Sequence, residues 1–432
     1  MLRKPNYIFN HFIPKFILNR FANEYYSGSE KLHKVWVYDI EKNMIESPET
    51  KRALGEYKLY WDETQKDKSK LERDLNSKLE QRFLNIISKR VYDAKGRIEL
   101  SRFDLQEIKR YILAQMIRTP ADEHYETFFG GKQGKLVLEQ FGEMLRLQGR
   151  KKPLKDLTGL SNKEAMLHDL RIVVDAPFEE IFDHEDATPR LANYASFINS
   201  SYLGFWLADK SNDFVLTDTY LINERDPMIP YKLPNGKAGL MHTRAIIVHE
   251  LLEKYRKQNE IKPTQAYAEL NNLFVQMFNC HEAVWFFPIA PSMSIVLINP
   301  FFKALQYNEI LHENLDYVIR SGIFTNIDLQ YFTPNIAEYK RQDEINAALI
   351  KGDIVSASQF YSDDDKYIYP ILQLDAGTTQ YVNMLMLDRV TNLLIFKNKA
   401  RMTPSVRFYL DFDANNKLVD YLPLYRKLKD LD

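Results

Sequence analysis

Five side chains in this 432-residue chain have the types and settings for acid–base work on an anionic substrate: His11, Glu80, Gln115, Arg118 and Asp218. His11 lies in an aromatic, otherwise apolar stretch near the chain start, Asn10-His11-Phe12-Ile13-Pro14-Lys15-Phe16-Ile17-Leu18-Asn19-Arg20-Phe21. An imidazole titrates in the range useful for general acid–base catalysis. Glu80, Gln115 and Arg118 sit on or beside the apolar stripes of two predicted helices, where a polar group needs a partner. Asp218 ends a predicted strand that emerges from an apolar face. The chemistry this set suits best is phosphodiester hydrolysis on RNA or DNA. His11 would move the proton, and Glu80 and Asp218 would hold a divalent metal or a water. Arg118 would stabilise phosphate charge while Gln115 orients the substrate.

Each residue also has a plainer reading. Glu80 paired with Arg118 or Arg20 would be an internal brace, which would make the chain a non-catalytic sensor or protein-interaction module. Asp218 between Thr217 and Thr219 would form a turn. His249-Glu250 and His281-Glu282 lack the second His of a zinc-protease helix. Asp411-Phe412-Asp413-Ala414-Asn415-Asn416 begins like a calcium loop, but it has Asn416 and Leu422 where Gly and Glu are needed. Gly130-Gly131-Lys132 lacks the spacing of a phosphate loop. Tyr25-Tyr26, Trp36, Tyr38, Tyr57, Tyr60 and Trp61 could stack on bases, but such residues more often pack a small sheet. The sequence leaves the cofactor undetermined.

The elements that must position these groups follow from spacing. Pro14 opens a short helix to about Phe21. Trp36-Val37-Tyr38-Asp39 reads as a strand. Leu71, Leu75, Leu79, Phe83 and Ile86 recur at helical spacing over 69–90. Ser101 and Asp104 fit a capping box ahead of a helix that ends at Thr119-Pro120. Further helices are expected near 136–147, 162–170 and 178–182. Strands are expected at 202–207 and 214–218, joined as a pair, and a hairpin at 284–287 with 295–298. A helix is expected at 381–396, and a last hairpin at 406–412 with 417–422. The sum is an α+β fold: a mainly helical N-terminal half packed on a largely antiparallel sheet from the C-terminal half. A single composite domain over 1–432 is expected. It would be helix-rich over 1–200 and strand-rich over 201–432, with a helical insertion at about 226–280.

Composition sets the outer bounds. The 58 Lys and Arg against 59 Asp and Glu leave a net charge of -1, so no global field drives binding to nucleic acid or anionic membrane. One cysteine, Cys280, rules out an intramolecular disulfide and fits the reducing cytoplasm. No apolar run approaches the roughly 18–20 residues of a membrane span.

Several of these segments together resemble one bacterial family, the domain-of-unknown-function family numbered 4238. They are His11-Phe12-Ile13-Pro14-Lys15-Phe16-Ile17-Leu18, Trp36-Val37-Tyr38-Asp39, Glu80, Gln115-Met116-Ile117-Arg118-Thr119-Pro120, Phe214 to Tyr220, and Phe287-Pro288-Ile289-Ala290-Pro291. A weaker match surrounds Asn383 to Arg401. The chain has Asn10 where the family often doubles its His, and Tyr220 where a strand-end proline is common. The resemblance implies a bacterial protein of a kind associated in some members with antiviral defence, so an anti-phage effector is expected, with nucleic acid and a phage or host protein trigger as its expected partners. It implies no established reaction.

Overall fold

The computed structural model describes residues 9–118, 150–155, 161–220, 282–298, 336–350, 360–411 and 419–429, with the strand backbones 222–225, 228–232 and 238–242 and a few isolated positions. Its centre is a seven-stranded sheet. The strands run in the order Ile222–Arg225, Glu282–Ala290, Met293–Ile298, Tyr202–Leu207, Lys366–Gln373 and Ile336–Glu338, with Arg97–Ser101 also paired to Lys366–Gln373. The pairings are antiparallel except where residues 371–373 run parallel to 205–207.

This sheet is apolar on both faces, and alternation sends successive residues into two cores. Trp206, Val284, Phe286, Val296 and Ile298 enter one core; Phe205, Trp285, Phe287, Ile295 and Leu297 enter the other. Helices Ala376–Arg389, Lys399–Asp411 and Leu422–Lys429 cover the first face through Met386, Val406 and Leu424. The other face is covered by Lys15–Phe21, a helical rod over 70–91, Arg102–Arg118, Asn162–Asp175 and Pro189–Ser200. In the rod, Leu75–Glu80 and Ile87–Val91 have the wider π-helical turn, a feature often found at functional sites. Phe83 of the rod stacks on Tyr111 of the neighbouring helix at 3.6 Å between ring centres. That contact fixes the rod against the helix that carries Gln115 and Arg118.

The expected division into a helical N-terminal half and a C-terminal sheet is overturned. Helices are spread along the chain, and strands occur in both halves. Trp36–Asp39 pairs with Leu393–Phe396, and Arg97–Ser101 pairs with Lys366–Gln373, so both ends of the chain share sheets. The early strands are short and carry polar runs such as Glu30–Lys34, so they give little periodic signal. The 202–207 strand does not pair with its sequence neighbour. Leu216–Thr217 joins Leu393–Phe396 instead.

Three other expectations also change. Residues 406–411 are helical, because Met402, Ser405, Val406 and Tyr409 face the core at helical spacing and Asn398 caps the start. The 381–396 helix is instead the helix Ala376–Arg389 followed by the strand Leu393–Phe396. Met228–Lys232 and Ala238–His242 form an antiparallel hairpin inside the expected helical insertion. The rest of that insertion, the 136–147 helix apart from isolated positions, the calcium-like loop after Asp411, Cys280, and the side chains of His249 and His281 lie outside the described residues. The capping box holds: Ser101 N donates to Asp104 Oδ2 and Asp104 N donates to Ser101 Oγ, each at 3.0 Å. Among the described residues, no helix is long and apolar enough to cross a membrane.

Candidate functional site

Arg118 ends the helix Arg102–Arg118, and its side chain is 1% exposed. Its Nη1 donates to Glu80 Oε1 at 2.7 Å. Gln115 lies one turn earlier on the same face. Its Oε1 accepts from Arg118 Nη1 at 3.0 Å and its Nε2 donates to the Phe12 carbonyl at 3.2 Å, the amide orientation that satisfies both ends. The Tyr60 ring lies 5.1 Å from the guanidinium carbon, and Tyr60 donates its hydroxyl to the His11 carbonyl at 3.1 Å. One nitrogen of Arg118 therefore carries both protein hydrogen bonds. Nε and Nη2 are buried with no hydrogen-bond partner among the described residues. Burial works against the charge, but Tyr60 and Glu80 more than offset it, so Arg118 is held firmly cationic.

His11 enters from the short strand Phe9–His11, which pairs with Gly55–Tyr57. Its Nε2 lies 3.0 Å from the Thr50 carbonyl, so Nε2 carries the hydrogen and Nδ1 the lone pair. Burial lowers its pKa below the ordinary 6.5, opposed by the Thr50 bond and the Glu80 charge. The imidazole is neutral at physiological pH. Four of the five expected residues thus converge: Glu80, Gln115 and Arg118 by direct bonds, and His11 through Tyr60 and the Glu80 field.

Asp218 does not join them. Its Oδ1 accepts from Thr391 N at 3.0 Å, and its Oδ2 accepts from Asn392 N at 2.6 Å and Leu393 N at 3.0 Å. The carboxylate caps the remote turn into the strand Leu393–Phe396, so it serves neither the cluster nor a local turn with Thr217 and Thr219. The arrangement in which Glu80 and Asp218 share a metal is therefore not formed. Among the described residues, no group of three or more His, Cys, Asp or Glu side chains is placed to hold a metal ion.

Glu72 takes the place that Asp218 leaves. It lies two turns before Glu80 on the rod, within the fields of Arg118 and Glu80 and against Asn10. Burial raises its pKa, Arg118 pulls it back, and Glu80 raises it again. The signal available in the sequence was its helical phase with Leu75, Leu79 and Glu80, but one charge in Leu71-Glu72-Arg73-Asp74 reads as solvated. Tyr111 and Tyr220 were also missed. Both are buried, with hydroxyls facing each other and pKa values pushed up by burial. Tyr220 adopts φ 56°, a left-handed conformation that is rare for a bulky side chain and costs about 1–3 kcal/mol. Strain of this kind persists where surrounding contacts over-determine it, and here it turns a hydroxyl toward Tyr111, which lies within the fields of Glu80 and Arg118.

The site therefore holds a neutral base, a carboxyl group whose proton is retained more readily than usual, and a buried cation with unused donors. No curated protein and no solved structure matches the chain. The family model described as Protein of unknown function (DUF4238) matches residues 10–400, a span that takes in every member of the cluster, and the chain belongs to that family.

Proposed function

We propose that this chain is a bacterial anti-phage effector that hydrolyses phosphodiester bonds of RNA or DNA at the Arg118 cluster. The observation that carries this reading is the buried guanidinium with two nitrogens that have no hydrogen-bond partner among the described residues. A buried donor without an acceptor costs about 1–3 kcal/mol, and a phosphate's non-bridging oxygens would satisfy both in the geometry Arg favours. His11 Nδ1 takes the proton from the attacking water. Glu72 gives its proton to the leaving oxygen, so one water yields a phosphomonoester and an alcohol. Opposite pKa shifts on two groups that share the field of Glu80 are the pattern that assigns base and acid.

The test is cleavage of end-labelled RNA and single-stranded DNA by the wild type, His11→Gln and Glu72→Gln, with folding checked by circular dichroism. Each folded variant is expected to lose at least about 100-fold in rate. The wild-type rate should fall as pH drops through a value below 6.5, where His11 gains its proton. Full cleavage by folded His11→Gln overturns the reading.

A second reading, a sensor or interaction module answering a phage or host protein, is favoured by one observation. Arg118 Nη1 is already shared by Glu80 and Gln115, as an internal brace would be.

A further inference from the structure

Outside the Arg118 cluster the molecule has a partly open cleft of about 420 Å³ whose lining includes Arg20, Asn23, Asp213, Lys397, Asn398 and Arg401. Its size falls within the range of ligand sites. Arg401 Nη1 donates to Asp213 Oδ1 at 3.0 Å, and that pair is locally neutral. Arg20 and Lys397 form no ion pair among the described residues. The Lys397 ammonium donates to the Arg20 carbonyl at 3.2 Å, and the Arg20 guanidinium lies 3.8 Å from the centre of the Tyr92 ring. The cleft thus carries two cations outside ion pairs, Arg20 and Lys397, the second within the field of Glu24, on a chain whose net charge is -1.

The cleft runs into an aromatic surface. Asn23 donates from Nδ2 to the Lys397 carbonyl at 3.0 Å, so its side chain faces the cleft. It also starts the strand Asn23–Ser27, whose partner is Glu30–Lys34. Period-two alternation puts Tyr25 on the same hairpin face as Asn23, and Lys34, directly opposite Asn23, on that face too. The Lys34 ammonium lies 5.2 Å from the centre of the Tyr25 ring, as that geometry requires. Tyr25 is 38% exposed. A cation row that continues into an exposed ring is the composition that holds single-stranded nucleic acid: phosphates on the cations, a base on the ring.

We infer that the cleft and the hairpin face form a docking surface for single-stranded nucleic acid. Arg20 and Lys397 take backbone phosphates and Tyr25 stacks on a base. The inference rests on the nucleic-acid substrate proposed above and assigns the surface that captures it. Tyr92, under Arg20, donates its hydroxyl to the Ile289 carbonyl at 3.0 Å and lies within the field of Tyr220, so the surface adjoins the residues that pack behind the cluster.

The test is fluorescence anisotropy with labelled 12-mers of uridine and of deoxythymidine, titrated with the full-length His11→Gln protein so that cleavage does not consume the probe. Arg20→Gln and Lys397→Gln, added to that background, should each weaken binding and flatten the slope of log K against log salt by about 0.7. Tyr25→Ala should weaken binding at least about five-fold, the low end for one base–aromatic stack. Comparing the two oligomers separates RNA from DNA. No binding of either 12-mer, or binding that all three variants leave unchanged, overturns the inference. Equal displacement by inorganic pyrophosphate with Tyr25→Ala silent also overturns it, in favour of a small-phosphate site. Binding that depends on the three residues sustains the docking surface even if no cleavage is found, whereas cleavage with unaltered binding in the variants removes the docking surface alone.

Discussion

Arg118 and the Arg20–Lys397 pair hold positive charge in opposite ways. Arg118 is buried beside Glu80, Gln115 and Tyr60, and most of its hydration was lost when the chain folded. Arg20 and Lys397 keep contact with solvent around an open cleft and form no ion pair among the described residues. Charge that is desolvated on folding is tied to stability, because each partner compensates the burial of the others. Charge left at the surface contributes little to folding and is available to a ligand. The buried cluster can therefore be preorganised for chemistry only at a cost in fragility. The cleft can be altered without disturbing the fold.

The sharpest way to break this comparison is Arg118→Met. Removing one member of a buried pair typically costs about 3–5 kcal/mol, because it leaves a charge without compensation. We expect a loss of that order by urea denaturation, with much of it recovered in the double variant Arg118→Met, Glu80→Leu. A loss below about 1 kcal/mol would mean that the cluster is hydrated and that the contrast with the cleft fails. Asp218→Ala should fall between the two regions. It removes three hydrogen bonds from backbone N–H groups to a half-buried carboxylate, and a loss of about 2 kcal/mol is expected. Its effect on cleavage, measured at a temperature where the variant is fully folded, should be small, since the carboxylate serves the turn. The smallest effect belongs to the cleft. Arg20→Gln and Lys397→Gln should each change stability by no more than about 0.5 kcal/mol, so that any loss of binding reports on the ligand.

Part of this organisation is legible in the sequence, for local reasons. The helix Arg102–Arg118 follows from its apolar spacing and its capping box. The hairpin between Glu282–Ala290 and Met293–Ile298 follows from two apolar runs around Pro291. Gln115 and Arg118 share a helix face because they are three residues apart, and Glu80 stands beside the buried Leu79 on the rod. One of the two pairings open to Glu80 in the sequence, with Arg118 rather than Arg20, is the one the fold forms. The helix Lys399–Asp411 reads locally as a strand because Val406, Phe408 and Leu410 alternate, although Pro404 inside it is accommodated by the helix.

The remaining decisions are long-range, and no local pattern encodes them. Asp218 reaches residues 391–393, across most of the second half of the chain, and that contact removes it from the cluster. Glu72 enters the cluster because the strand Phe9–His11 is laid against Gly55–Tyr57 and brings Asn10 to the rod. Arg20 meets Lys397 because Trp36–Asp39 pairs with Leu393–Phe396 and draws the two ends of the chain together. By itself the sequence determined which residues are polar on apolar faces, where several helices of the first 182 residues lie, and which family the motifs resemble. Those properties depend on neighbours three or four residues apart. Only the tertiary structure decided which carboxylate compensates which cation and which cations remain in water, because burial and partnership are set by packing between segments tens to hundreds of residues apart.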